Sequence, residues 1–354
     1  MQEADDAIHS VVAMIEPTVI DEVQRAPELM LPIKARVDEH GRPGQFLLTG
    51  SARLLGMRGV PDALVGRSET IELWPFSQGE LEGTVETFVD RAFGDDAASL
   101  PDSELDRAAY LDRALRGGYP EAIERTEGRR AKFFDAYVND LIDRDVAQLS
   151  DIQRRPDLHR LLRLLADRMA TPLKIESLAS ELGLAKSTVD RYVSLLEEVF
   201  LIKRVPAWSR STTARAVQMR KLMMVDTGLA AHLSGRSSAS LARDAARAGA
   251  LLENFVLGEL ARHLTWSPMF ATLHHYRTRD GEEVDAVLEA PDGRIVGIEV
   301  KAAATVELAD FRHLKHLADR VPGHFHHGFV LYAGQRVLQF GDRLTAAPIA
   351  SLWG

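Results

Sequence analysis

Two places in the sequence set carboxylates where phosphate chemistry could use them. The first closes the apolar run "TVIDEVQ", where Asp21 and Glu22 stand at the end of an expected buried strand. A strand end puts adjacent side chains at the rim of a sheet, where ligands bind. In a phosphate-hydrolysing site Asp21 would serve Mg²⁺ and Glu22 would polarise the attacking water. The same pair can also begin a loop or helix with no chemistry attached.

The second place is a hairpin, "GEEVDAVLE" and "GRIVGIEVKA" joined across "APDG". Alternation sends Val284, Ala286 and Leu288 to one face and Glu283, Asp285 and Val287 to the other. In the second strand Val296, Ile298 and Val300 share the core face, so Glu299 and Lys301 project together where Asp285 can join them. Two carboxylates and a lysine on one sheet face suit a hard cation, Mg²⁺ or Mn²⁺. Such an ion would polarise a phosphodiester and supply hydroxide, with Lys301 positioning the water or stabilising developing charge. An exposed hairpin with ordinary surface charges has the same composition.

A third feature is basic. In "IESLASELGLAKSTVDRYVSLLEEVFLIKRV", Leu178, Leu182, Leu184, Val189, Val193 and Leu196 form one apolar seam, with Gly183 at the turn and Ser187 as N-cap of the second helix. That leaves Lys186, Thr188, Asp190 and Arg191 near an exposed helix start, where a recognition helix meets base edges. From Val199 to Val225 no Asp or Glu occurs, while Lys203, Arg204, Arg210, Arg215, Arg220 and Lys221 accumulate. The pattern is a winged helix with a basic wing, a module that contacts either DNA or a protein partner.

The elements that would position these groups follow an α/β plan. Strands at "TVIDEVQ", "GQFLLTGS" and "ETIELWPFS" alternate with a helix spaced on Leu29, Ile33 and Val37. Residues 86–170 are mainly helical, 171–225 hold the winged helix, and 226–354 form a final α/β section with strands near 272–277, 283–289, 294–300 and 328–333. With 354 residues, more than one core is expected. The net charge of −9 argues against whole-surface attraction to nucleic acid but leaves a local basic patch open. The absence of cysteine excludes disulfides and thiolate chemistry. No signal-like or membrane-spanning run occurs, so a cytoplasmic, soluble protein is expected. The cluster His324, His326 and His327 lacks acidic partners and reads as a solvated loop, and Trp208, Trp266 and Trp353 read as packing residues.

Together "DEVQRAPELMLPIKARVDE", "GQFLLTGSARLL" and "LVGRSETIELWPFS" resemble the AAA-type ATPases from the Walker B strand onward. The resemblance runs on through "GGYPEAIER", "YVNDLIDRDV" and "LLEEVFLIKRVPAWSR" to "GDRLTAAPIASLW", nearly the whole chain. It implies a partial P-loop core over residues 1–85, with Thr49 and Ser51 on the sensor strand, Arg67 approaching a nucleotide, and Asp21 and Glu22 beside ATP and Mg²⁺. The departure is that G-x-x-x-x-G-K-[ST] does not occur and no Gly is followed by Lys. Without that loop there are no convergent N–H groups and no lysine for the phosphates. The expectation is therefore an N-terminally truncated chain, with ATP hydrolysis confined to full-length relatives. Asp285 followed by Glu299-x-Lys301 resembles the PD-(D/E)XK nuclease core, and Glu253 in "GALLENFVLGEL" looks like the helix acid of that superfamily, although Val284 stands where its Pro would be. The readings left open are an ATPase-family protein without hydrolysis, a Mg²⁺-dependent DNA endonuclease, and a non-catalytic DNA- or protein-binding module.

Overall fold

The computed structural model describes residues 17–50, 64, 66–146, 155–211 and 219–354. Ser51 and Arg215 lie outside the described residues.

At the N-terminal end, β1 (Thr18–Ile20) pairs in parallel with β2 (Phe46–Leu48), Val19 facing Leu47. Parallel neighbours need a crossover, and α1 (Met30–His40) supplies it before Gly41 closes it in the left-handed region at φ 58°. Val23, Met30, Ile33 and Leu64 form a small core beneath the pair. The third strand expected at "ETIELWPFS" is not formed: residues 68–77 form no strand, with a bend at Pro75, and Ile71 and Leu73 are exposed. Pro75 has no N–H to donate, and the chain here is drawn off elsewhere, Phe76 N donating to Gly118 O at 2.8 Å.

A helical layer follows. The short α2 (Gln78–Glu82) is closed at its start by a capping box between Ser77 and Glu80. Beyond it α3 (Arg107–Arg116), α4 (Glu127–Asp140) and α5 (Arg155–Asp167) bury Tyr110, Phe134, Leu161 and Leu165 in the main core. Next α6 (Ile175–Leu182) and α7 (Lys186–Glu198) are joined at Gly183, φ 67°, the conformation that a β-carbon disfavours. Leu178, Leu182, Val189, Val193 and Leu196 are buried along the expected seam, with Leu184 packed at its edge. Ser187 is not the N-cap: the helix begins at Lys186, and the N-cap is Ala185, two residues before Ser187, with no side-chain cap bond. A hairpin of β3 (Ile202–Val205) and β4 (Lys221–Met224) completes this part, Val205 facing Lys221.

After α8 (Thr227–Leu233) and the long α9 (Ala245–His263) comes a six-stranded sheet. β5 (Thr272–Arg277), β6 (Glu283–Glu289) and β7 (Ile295–Lys301) form an antiparallel meander. The crossover helix α10 (Arg312–Arg320) leads to β8 (Phe325–Tyr332), parallel to β7. β9 (Leu338–Gly341) and β10 (Leu344–Pro348) extend the order to β5-β6-β7-β8-β10-β9. Ala286, Leu288, Val296 and Ile298 share the face that joins the main core with α9, whereas Val287, Ile295 and Val330 pack with Leu314 and Leu317 of α10. Val284, expected beside Ala286, falls in the second cluster, where pairing with β5 shifts register between His274 and Tyr276. A β-carbon at Gly297 would meet Leu314 Cδ2 at 2.7 Å, so glycine lets α10 approach the sheet.

The histidine cluster is not a solvated loop. β8 starts at Phe325 and carries His326 and His327 into the sheet, where His327 is buried at 2.9 Å from Thr345 Oγ1; His324 stays outside, its Nδ1 2.9 Å from Gly293 O. Trp208 and Trp353 are buried as expected, but Trp266 is 42% exposed, its ring against that of His263. Among the described residues no helix is long and apolar enough to cross a membrane.

Candidate functional site

The N-terminal strand ends do meet. Thr49 Oγ1 donates to Asp21 Oδ1, and Thr49 N reaches Ile20 O at 2.9 Å. Glu22 lies in the left-handed region at φ 51°, its carboxylate accepting from Gln24 Nε2. Arg67, by contrast, is engaged with Asp38 of α1, Nε to Oδ1 at 2.5 Å and Nη2 to Oδ2 at 3.1 Å. That bond holds the Asp38 carboxyl below its usual range.

The C-terminal carboxylates gather around a group that the sequence pattern had placed on the wing. Lys221, first residue of β4, is 0% exposed and inserts its ammonium among three carboxylates. Its Nζ donates to Glu253 Oε1 at 2.6 Å and lies 3.2 Å from Glu283 Oε1 and 3.5 Å from Asp285 Oδ1. Burial pulls its pKa down, but the charges of Glu253, Asp285 and Glu283 more than offset this and hold it above the ordinary lysine range. Glu253, on α9, is pushed up to about 8 by burial and then by the charge of Asp285.

The sheet opens where these groups meet. The β6–β7 ladder runs from Ala286↔Ile298 to Glu289↔Ile295, and just beyond it the Asp285 carboxylate takes the Val300 N–H at 2.9 Å. Glu299 is buried beside it with Oε1 lacking a hydrogen-bond partner. Burial, reinforced by the charge of Asp285, raises its pKa well above the carboxylate range. Lys301 turns outward and pairs with Asp310 Oδ1 at 3.5 Å. Of the four residues expected here, Glu253, Asp285, Glu299 and Lys301 all lie in one electrostatic cluster, the charge of Lys301 acting on Glu299 while a second lysine, Lys221, contacts Glu253 and Asp285. In this arrangement a buried ammonium contacts carboxylate oxygens that a hard divalent cation would also use.

Beside the cluster lies a cleft of about 1140 Å³ between α6, the segment following β3 and the β5–β6 turn. Trp208, Tyr276, Pro172 and Met219 line it together with Arg168, Lys174, Arg210, Arg277, Arg279 and Arg320, against the single carboxylate of Asp280. Arg168 is paired with Glu181 and Arg277 with Glu283, while Lys174, Arg210 and Arg279 have no carboxylate partner among the described residues. Glu283 therefore bridges Arg277 of the cleft and Lys221 of the cluster. The chain just after β3 is tied to β5 here, Trp208 N donating to His275 O at 2.6 Å and His275 N to Pro206 O at 3.0 Å.

The other basic residues expected to meet nucleic acid are largely committed. Lys186 pairs with Glu176 and Arg204 with Glu197. Lys203 sits over the Trp74 ring at 4.5 Å and 3.4 Å from Glu72. Arg191 covers Tyr192, and Thr188 is half-buried on α7. Sequence reasoning missed Glu283, the role of Lys221, and Arg277, Arg279 and Arg320. A lysine heading the apolar run Leu222-Met223-Met224-Val225 was one available signal, and "RTRDG" at a hairpin turn was another.

A buried trio, Glu86, Glu259 and His263, also has ligand atoms within 4.8 Å of one another. Its carboxylates are engaged: Glu86 accepts from Gly79 N at 2.7 Å, and Glu259 accepts from Gln78 N at 2.8 Å and Arg262 Nη1 at 2.7 Å. These bonds make it a structural junction between α2 and α9.

Two buried histidines give a pH dependence. His275 is lowered to about 4 by burial and then by Lys221, and His327 to about 4 by burial and then by His326. At these two positions the folded chain binds fewer protons than the unfolded one between about 6.5 and 4. The share of stability they carry above that window should be lost as pH falls through it, against the opposite contribution of the buried acids raised above their usual range. Urea midpoints measured across the window should fall less steeply toward acid in His327→Gln than in wild type; parallel profiles would refute it.

Comparison with known proteins divides the chain in three. Residues 2–82 match an AAA domain, 107–240 a domain of unknown function (DUF8612), and 248–352 another domain of unknown function (DUF4143). An uncharacterized protein of Mycobacterium tuberculosis and one of Mycobacterium bovis are each 28% identical over 333 residues, 93% of this chain and 67% of theirs. An uncharacterized protein of Haemophilus influenzae is 25% identical over 222 residues, 61% of this chain and 51% of its own. No solved structure matches. The matches thus place an AAA domain ahead of two domains of unknown function.

Proposed function

We propose that the C-terminal portion of this ATPase-family chain binds nucleic acid, and that the basic cleft is where the phosphodiester backbone lies. The observation that carries this reading is the pairing of three uncompensated cations, Lys174, Arg210 and Arg279, with an apolar and aromatic floor at Trp208 and Tyr276. Guanidinium groups match phosphate oxygens in bidentate geometry, and an apolar floor gives a strand's bases something to lie against. The helix pair α6–α7 with its β3–β4 hairpin supports the winged-helix reading, although the free cations lie at the wing's foot rather than at the start of α7. ATP turnover would need a phosphate loop, and none occurs in these 354 residues.

Fluorescence anisotropy with labelled single-stranded and duplex DNA tests the proposal. Affinity should fall steeply between about 50 and 200 mM salt, with a log–log slope of roughly −3 for about three to four phosphates neutralised. The triple change Lys174→Glu, Arg210→Glu and Arg279→Glu should weaken binding by about tenfold or more and flatten the slope. Undiminished binding in a folded triple variant would remove the cleft from the argument.

A second reading, metal-dependent phosphodiester cleavage, is favoured by the order helix, three-stranded meander, crossover helix and parallel strand, with Glu253, Asp285 and Glu299 at one end. Lys221 stands against it. Nicking of plasmid DNA that requires Mg²⁺ and is abolished in Asp285→Asn would restore that reading.

A further inference from the structure

We propose that Lys221 is a built-in cation: its ammonium holds the position a divalent metal would take among Glu253, Glu283 and Asp285, so the cluster excludes such ions while the lysine is present. This stands on the geometry of the cluster and does not depend on nucleic acid binding. The ammonium is wholly buried, and its contacts at 2.6, 3.2 and 3.5 Å go to three carboxylates carried by α9 and β6. A fourth contact, to the Asp285 carbonyl at 3.4 Å, adds a backbone oxygen. Carboxylate and carbonyl oxygens converging on one point are the donor set of a hard cation, and buried charge of this kind requires a counter-charge. A lysine can satisfy it with three N–H donors and one positive charge.

The neighbouring groups point the same way. The buried Glu299 adds a further carboxylate beside Asp285, within the electrostatic reach of Lys221. Lys301 pairs with Asp310 Oδ1 at 3.5 Å, and of the two lysines Lys221 alone contacts Glu253, Glu283 and Asp285. Arg277 shares Glu283 with Lys221, adding a second cation at the rim. Removing the ammonium should therefore leave an anionic cage of oxygen donors, fit for a small divalent ion.

The test is Mn²⁺ titration of the full chain, followed by the loss of the free-ion electron paramagnetic resonance signal and by thermal melting, in wild type, Lys221→Ala and Lys221→Met. Wild type should take up no stoichiometric Mn²⁺. Either lysine variant should bind one ion at least tenfold more tightly than wild type and regain melting temperature on its addition, and Asp285→Asn in the same background should abolish both effects. Stoichiometric Mn²⁺ binding by wild type that is lost in Asp285→Asn overturns the proposal. So does a folded lysine variant that takes up no ion. Should neither variant fold, with or without Mn²⁺, the wild-type titration decides.

Discussion

Arg262→Leu should destabilise the folded chain by about 3–5 kcal/mol, the usual cost of stranding one partner of a buried ion pair. The Arg262 side chain is almost fully buried on α9 and donates to three places: Pro75 O at 2.8 Å, Glu259 Oε1 at 2.7 Å and Val225 O at 3.3 Å. Leucine fills part of the volume but satisfies none of the acceptors and leaves Glu259 as an unpaired buried acid. Burial already raises the pKa of Glu259 against the opposing pull of Arg262, so losing the arginine raises it further. A folded-state pKa above the unfolded value means that the folded chain holds extra protons above about 4.5. The penalty should therefore grow as pH rises from that point. Urea denaturation at several pH values measures it, and Glu259→Leu in the same chain should recover part of the loss. A change below about 1 kcal/mol at neutral pH would mean that this junction contributes little.

The second large effect is expected at Asp226, which caps α8 from a fully buried position. Its Oδ1 accepts from Leu229 N at 2.7 Å and its Oδ2 from Gly118 N at 2.7 Å, so one carboxylate ties the start of α8 to the end of α3. The backbones are pressed together here: a β-carbon at Gly228 would meet Arg116 O at 2.6 Å, and one at Gly118 would meet Phe76 O at 2.2 Å. Asp226→Ala removes a helix cap and leaves two buried N–H groups unsatisfied, about 2–4 kcal/mol together. Asp226→Asn should fall between, because its one carbonyl oxygen can keep the Leu229 bond while its amide faces Gly118 N–H donor to donor. Equal stability of the Ala and Asn variants would show that the second acceptor is dispensable.

Both effects concern contacts that single elements do not announce. The strand at 283–289 was legible because its apolar residues alternate with acids and a turn signal follows it, and the α6–α7 seam was legible because six apolar residues recur at helical spacing. Glu253, Asp285 and Glu299 could be selected because strand alternation and motif order are local properties. Lys221 could not. It is separated from Glu253 by 32 residues and from Asp285 by 64, and its burial follows from how the β3–β4 hairpin packs against α9 and the sheet. A cluster of basic residues without acids reads as a solvated surface until the long-range carboxylates are known. The strand pattern at "ETIELWPFS" failed for a related reason: alternation suits a ladder, yet Pro75, Phe76 and Gln78 are held by Arg262, Gly118 and Glu259 instead.

The two halves of the Lys221 cluster also limit how this protein can change over generations. The lysine arrives on a hairpin and the acids on a helix and sheet that follow it. A lineage losing the lysine alone would inherit an anionic pit, and one losing the acids would inherit a buried ammonium with no counter-charge. Each single step is costly, so the hairpin and the sheet must be passed on together. A chimera that grafts this sheet onto a foreign hairpin should be destabilised unless a lysine, or a divalent ion in its place, comes with it.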